Sequence, residues 1–228
     1  MKKILIYFTN FEKILWISSV ILIIISFLIF DKNSFLTLIA SLIGVTFLIF
    51  NAKGNPIGQF LTIVFGILYG VISYSFRYYG EMITYLCMTA PMALLALISW
   101  LKHPYEGKKS QVEINVIRKK EIIFMFVLAA ITTFVFYFIL DALNTSNIIP
   151  STISVTTSFI AVYLTFRRSH FFSLAYAAND VILVVLWLLA SFDNKSYISV
   201  LVCFLVFLVN DLYGFFNWSK MKEKQANL

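Results

Sequence analysis

Along the chain, long apolar runs alternate with short polar breaks. The runs cover roughly 14–30, 35–50, 57–77, 81–101, 121–140, 148–166, 171–192 and 197–218. A helix needs about 20 apolar residues to cross a bilayer, within a range of about 17–25, so each run predicts one spanning helix. The breaks hold Lys, Asn, Gly and Pro, which turn a chain. The longest, "KHPYEGKKSQVEINVIRKK" at 102–120, is polar and predicts a loop. The pattern predicts an all-α integral membrane protein of eight transmembrane helices, with no residues left over for a soluble domain. The N-terminal stretch has a basic start but no small-residue cleavage site. It is expected to stay as the first span and not to leave as a signal peptide.

Charge supports the count. Eight spans put both termini on one side. Of the 18 Lys and Arg residues, Lys32, Arg77 and Lys195 then fall on one side and the other 15 on the opposite one. The basic side is the cytoplasmic one, so both termini are expected in the cytoplasm, with the protein multi-pass in the cell membrane. The chain is 61% hydrophobic and only 13% charged, about half the charge of a soluble domain. The net charge of +7 therefore reads as a topology signal. The lipid bilayer is the expected partner, and nucleic acid is not.

A shift of 118 residues lays span 2 on span 6, span 3 on span 7 and span 4 on span 8. Tyr69 then meets Trp187, Tyr79 meets Tyr197, and Trp100 meets Trp218. Three spans plus one is even, so the second triplet enters from the same side as the first. The pattern predicts two parallel three-helix repeats joined by a linker helix, with an extra N-terminal helix outside them. The expected divisions are 1–33 for the extra helix, 34–101 for the first repeat, 102–147 for the basic loop and linker helix, 148–219 for the second repeat and 220–228 for a tail. Parallel repeats about an axis along the membrane normal are a transporter architecture.

Two runs carry an unexpected polar pair. "YAANDVILVVLW" at 176–187 holds Asn179 and Asp180, and "FLVNDLYGFFNW" at 207–218 holds Asn210 and Asp211. The other acidic residues, Glu12 and Glu81 among them, fall in tails, loops or span ends. An Asp at a span centre costs about 2.5–3.5 kcal/mol on insertion scales, so it faces the bundle interior or a wet cavity. At about 1.5 Å per residue, Asn179 lies about 13 Å and Asn210 about 12 Å from the same membrane edge. Two antiparallel neighbours could present both pairs to one site. Tyr176, Asn179, Leu183 and Trp187 share a face of span 7. Asn210, Tyr213 and Asn217 share one of span 8, with Gly214 leaving room. Amides, phenols and an indole suit a flat, hydroxylated ligand, and a cationic ring gains a cation–π attraction. The candidate substrate-binding residues are Tyr176, Asn179, Asp180, Trp187, Asn210, Tyr213 and Asn217. Asp180 and Asp211 could equally tie helices together. Trp16 and Trp100 are expected in an interfacial aromatic belt. Gly66 and Gly70 form a GxxxG that lets helices approach. Pro91 can loosen span 4, where Thr89 could add to the cavity.

The two histidines, His103 and His170, fall in loops, and the two cysteines, Cys87 and Cys203, in apolar runs. No HExxH, Walker or GxSxG motif is present. No cofactor, metal or nucleophilic triad is expected, and the chain is not expected to be an enzyme.

"NAKGNPIGQF" at 51–60, the Trp ending span 4 and "NDLYGFFNW" at 210–218 resemble the PnuC transporters, which are related in fold to the SWEET carriers. The likeness covers about 30–220, and its best marker is Asn210, Tyr213, Gly214 and Trp218. The resemblance implies import of nicotinamide riboside, a vitamin B3 precursor for NAD biosynthesis. Import would be by facilitated diffusion with alternating access, and a cytoplasmic kinase would trap the substrate as its phosphate. It carries site roles onto Asn179, Trp187, Asn210 and Tyr213, and by analogy a homotrimer. Tyr176 and Leu183 stand where many members have Trp. Thiamine, riboflavin or a deoxynucleoside, with or without proton coupling, are the alternative cargoes.

Overall fold

The computed structural model describes residues 7–145 and 147–227. Among them, eight helices are long and apolar enough to cross a membrane. They are α1 (Asn10–Phe30), α2 (Phe35–Ala52), α3 (Pro56–Ser75), α4 (Tyr79–Lys102), α5 (Lys119–Ala142), α6 (Ile148–Phe166), α7 (Phe172–Asp193) and α8 (Ile198–Ala226). Local sequence sets their starts. Thr9 caps α1 in a reciprocal box with Glu12. Asn55 caps α3, and Pro56 fills its first turn, where a missing N–H costs nothing.

Two segments differ from the sequence expectation. The 102–120 loop holds a hairpin, β1 (Pro104–Tyr105) and β2 (Lys108–Val112), paired antiparallel. Its turn places Glu106 and Gly107 at φ +48° and +71°, the left-handed pair that a tight hairpin needs. The charged residues hid it, because the hairpin's anchor is the single fully buried Val112. Across 220–226, where a tail is expected, α8 continues as helix to Ala226. There Gln225 clasps the hairpin's exit, accepting from Ile114 N at 2.8 Å and donating to Val112 O at 3.1 Å.

Helices α2, α3 and α4 pack in sequence order, as do α6, α7 and α8. In addition α4 packs on α6 and α8 on α2. Matching rivets hold these two contacts. Trp100 Nε1 donates to Thr165 O at 3.0 Å, and Trp218 Nε1 to Asn51 O at 2.8 Å. Each acceptor lies one residue before its helix ends. The two indoles meet with ring centroids 5.4 Å apart. Trp100 is thus not a belt residue. It is 1% exposed, drawn inward by that carbonyl and by Phe172. Trp16, by contrast, is exposed on α1. Trp218→Phe keeps the ring and removes the indole bond, while Gly54 N–H still satisfies the Asn51 carbonyl at 2.9 Å, so the cost is about 0.5–1.5 kcal/mol. A lower thermal unfolding midpoint in detergent is the expected result.

Helices α3 and α4 approach closely at Gly66 and Gly70. A Cβ on Gly66 would lie 3.3 Å from Ala90 Cβ, and one on Gly70 2.5 Å from Leu86 Cγ. Opposite them α4 is π-helical over Thr84–Thr89, and Ala90 N–H reaches back five residues to Tyr85 O. Pro91 explains the shift, because it offers no N–H to continue the ladder.

Candidate functional site

A cavity of about 30 Å³ lies where α2, α3, α4, α7 and α8 converge. That is room for one or two water molecules, far less than the roughly 300 Å³ or more of a nucleoside-sized pocket. The chamber is therefore closed in this conformation. Phe47, Phe65, Phe172 and Phe207 supply apolar walls, with Tyr85 and Tyr176 among them. Polar groups enter from three sides. Asn51 and Thr62 come from the α2–α3 pair, Thr89 from α4, and Asn179, Asp180 and Asp211 from α7 and α8.

The α7 pair sits as its helical phase requires. Asn179 is 3% exposed, and its Oδ1 accepts from Thr157 Oγ1 at 2.7 Å and Ser158 Oγ at 3.0 Å. With both acceptor positions used, its amide NH2 is the part left for the cavity. Asp180, also 3% exposed, meets Asp211 across the α7–α8 contact. Asp180 Oδ2 has no hydrogen-bond partner among the described residues. Among the described residues, no Lys, Arg or His lines the chamber.

On α8 the phase differs from the expected one by a single residue, and neighbours on a helix diverge by about 100°. Phe207 and Asp211, one turn apart, face the cavity. Asn210, Tyr213 and Asn217 do not line it. Asn210 Nδ2 donates to Ser19 Oγ at 3.0 Å and to Val206 O at 2.9 Å. Tyr213 donates to Glu12 Oε1 at 2.9 Å, and Asn217 to Ala52 O at 2.7 Å. These three bind α8 to α1 and α2. Gly214 leaves no ligand room either, because a Cβ there would lie 2.5 Å from Ser173 Oγ. Tyr176 lines the cavity. Trp187 lies beyond it, fully buried, donating to Tyr69 OH at 2.8 Å. The expected set is thus divided: Tyr176, Asn179 and Asp180 meet at the chamber, and the other four do not.

Several cavity groups carried little sequence signal. Asn51 holds a small node, with Oδ1 accepting from Gln59 Nε2 at 2.9 Å and Nδ2 donating to Thr62 Oγ1 at 3.3 Å. All but Thr62 lies within the quoted stretch 51–60. Gly58 makes the node possible, since a Cβ there would fall 2.2 Å from Asn51 Oδ1. Glu12 also proved internal. It is 1% exposed, with Lys53 Nζ 3.1 Å from both carboxylate oxygens. Lys53 in turn lies 4.9 Å from the Tyr7 ring centroid. This ion pair ties α1 to the α2–α3 turn.

Residues 34–220 match the family described as nicotinamide mononucleotide transporter. The chain belongs to this family, the PnuC transporters. It is similar to a nicotinamide riboside transporter PnuC of Neisseria mucosa, 23% identical over 222 residues, covering 96% of this chain and 84% of the relative. It is also similar to one of Haemophilus influenzae, 20% identical over 214 residues, covering 93% and 91%. A solved structure described as the crystal structure of the vitamin B3 transporter PnuC shares its fold. The TM-score is 0.84 at 22% identity, covering 96% of this chain and 94% of that one. Members of the family are transporters and not enzymes. The eight apolar helices accordingly belong to a multi-pass membrane protein.

Proposed function

We propose that the chain imports nicotinamide riboside across a bacterial cell membrane by facilitated diffusion, with both termini in the cytoplasm. The observation that carries this reading is the buried Asp180–Asp211 pair in an aromatic chamber lined, among the described residues, by no cationic side chain. A pyridinium ring has one positive charge and a flat face, and both find complements there. A phosphate would find two carboxyls and no cation, so the riboside fits and the mononucleotide does not. The Asn179 amide suits a ribose hydroxyl or the carboxamide oxygen. Thiamine is also a cationic heterocycle and is the second candidate. Uncharged riboflavin and deoxynucleosides gain no charge attraction from the acidic pair.

The closed chamber, which must open to admit a nucleoside, supports alternating access. Two parallel repeats supply a means. Tyr69 and Trp187, 118 positions apart, hydrogen-bond to each other, and Trp100 meets Trp218 at the same spacing. Rocking one triplet against the other would part the first pair while the second holds. A cytoplasmic kinase would then trap the cargo as its phosphate, giving a passive carrier net inward flux.

Calorimetry on the purified chain with nicotinamide riboside, its phosphate, thiamine and thymidine tests the assignment. Binding of the riboside and none of the phosphate is expected. Uptake into proteoliposomes should persist when the proton gradient is collapsed. A signal from thiamine or thymidine alone would overturn the vitamin B3 reading, and uptake that stops with the gradient would overturn facilitated diffusion.

A further inference from the structure

Glu81 is a buried ionisable residue that the central chamber does not use. It lies in the first turn of α4, at the end of the bundle opposite the basic loops, and is 1% exposed. Its Oε1 accepts from Ser154 Oγ at 2.7 Å. Among the described residues no Lys, Arg or His forms an ion pair with it. One turn on, Thr84 is fully buried, and its Oγ1 has no hydrogen-bond partner among the described residues. A carboxyl and a hydroxyl shut away with so few partners are costly in a membrane protein, and acidic residues inside spans mark substrate pathways. Both would gain partners if this end of the bundle opened to water.

The local backbone is built to move. The π-helical stretch Thr84–Thr89 begins three residues after Glu81, and Pro91 leaves the ladder beyond it one donor short. Such turns recur at functional sites. The side chain between Glu81 and the chamber is aromatic. Tyr85 lies on the π-turn, lines the chamber, and is within electrostatic reach of both Glu81 and Asp180. Its ring lies 4.5 Å from that of Tyr69, and Tyr78 lies 4.9 Å from Trp187, so this end is sealed by rings.

We infer that Glu81 forms an outer docking subsite for a cationic nucleoside. When the aromatic seal parts, its carboxylate faces the vestibule and holds the ring cation before the cargo passes Tyr85 to Asp180 and Asp211. The inference rests on the proposed function for which end is outside and for the cargo. The carboxylate attracts any small cation, however, so the subsite can be tested without the cargo.

The test uses Thr84→Cys on the full chain with Cys87→Ala, in proteoliposomes, with the Cys87→Ala parent as background. Modification rates are compared for a cationic and an anionic methanethiosulfonate of similar size. Focused charge in a cleft changes association rates by about 10-fold or more, so the cationic reagent is expected to react roughly 10-fold faster. Glu81→Gln should remove that preference, and nicotinamide riboside should slow the reaction. A Thr84→Cys that never reacts, or a preference unchanged by Glu81→Gln, overturns the subsite. If Glu81→Gln does not fold, Glu81→Asp must keep the cationic preference, and its loss is equally fatal. Cationic preference without protection by the riboside keeps the subsite and counts against the cargo instead.

Discussion

Replacing both Asp180 and Asp211 by Asn lowers the affinity for nicotinamide riboside by roughly 100-fold and leaves its uncharged dihydropyridine form much less affected. The double substitution is the informative one, because it removes negative charge from the chamber whichever carboxyl carries it. Opposite unit charges 4 Å apart attract by about 4 kcal/mol at an effective dielectric of about 20. Part of that is spent on desolvating the cation, so about 2.7 kcal/mol, or roughly 100-fold, is the expected remainder. Asp180→Asn alone should weaken riboside uptake more than uptake of an uncharged nucleoside, by a smaller factor, since Asp211 remains. Calorimetry with the oxidised and reduced ribosides makes the comparison at constant ribose and carboxamide. Equal loss for both forms would mean that the pair only holds α7 against α8.

Much of this architecture is legible along the chain because a bilayer leaves few choices. Backbone groups must be satisfied within each span, so run lengths and Lys/Arg placement suffice to count the helices. The 118-residue shift paired Tyr69 with Trp187 and Trp100 with Trp218, and both pairs are in contact. What the letters could not fix was rotation. In a helix apolar on every side, hydrophobicity gives no phase, and the sequence reading puts Asn210, not Asp211, on the cavity face. The α1 contact decides between them, because Ser19 and Glu12 claim Asn210 and Tyr213. Glu12 and Glu81 read as span-end charges for a related reason. Sequence places a residue along the membrane normal but does not show that Lys53 or Ser154 draws it inward. The aromatic walls at Phe47, Phe65 and Phe207 were invisible among 24 Phe residues.

Trp187 separates a binding role from a gating role more sharply than any other position. It is fully buried beyond the chamber, its indole donor is taken by Tyr69, and Phe76, Tyr78 and Tyr197 surround it. Trp187→Ala removes this plug and should cost about 3–5 kcal/mol, seen as a large drop in thermal midpoint and loss of uptake. Trp187→Phe is the discriminating variant. It keeps an aromatic plug and deletes only the bond to Tyr69, at a cost of about 1 kcal/mol. If that bond is a latch that breaks whenever the outer end opens, riboside affinity stays within about two-fold of the parent. Transport then continues, faster where opening limits the rate. If instead the indole stacks on the cargo, calorimetry will show riboside binding falling at least 10-fold while the midpoint barely moves. The first outcome keeps the chamber at Tyr176, Asn179, Asp180 and Asp211. The second extends it outward past Tyr69, and the seal must then be sought nearer Tyr78 and Glu81.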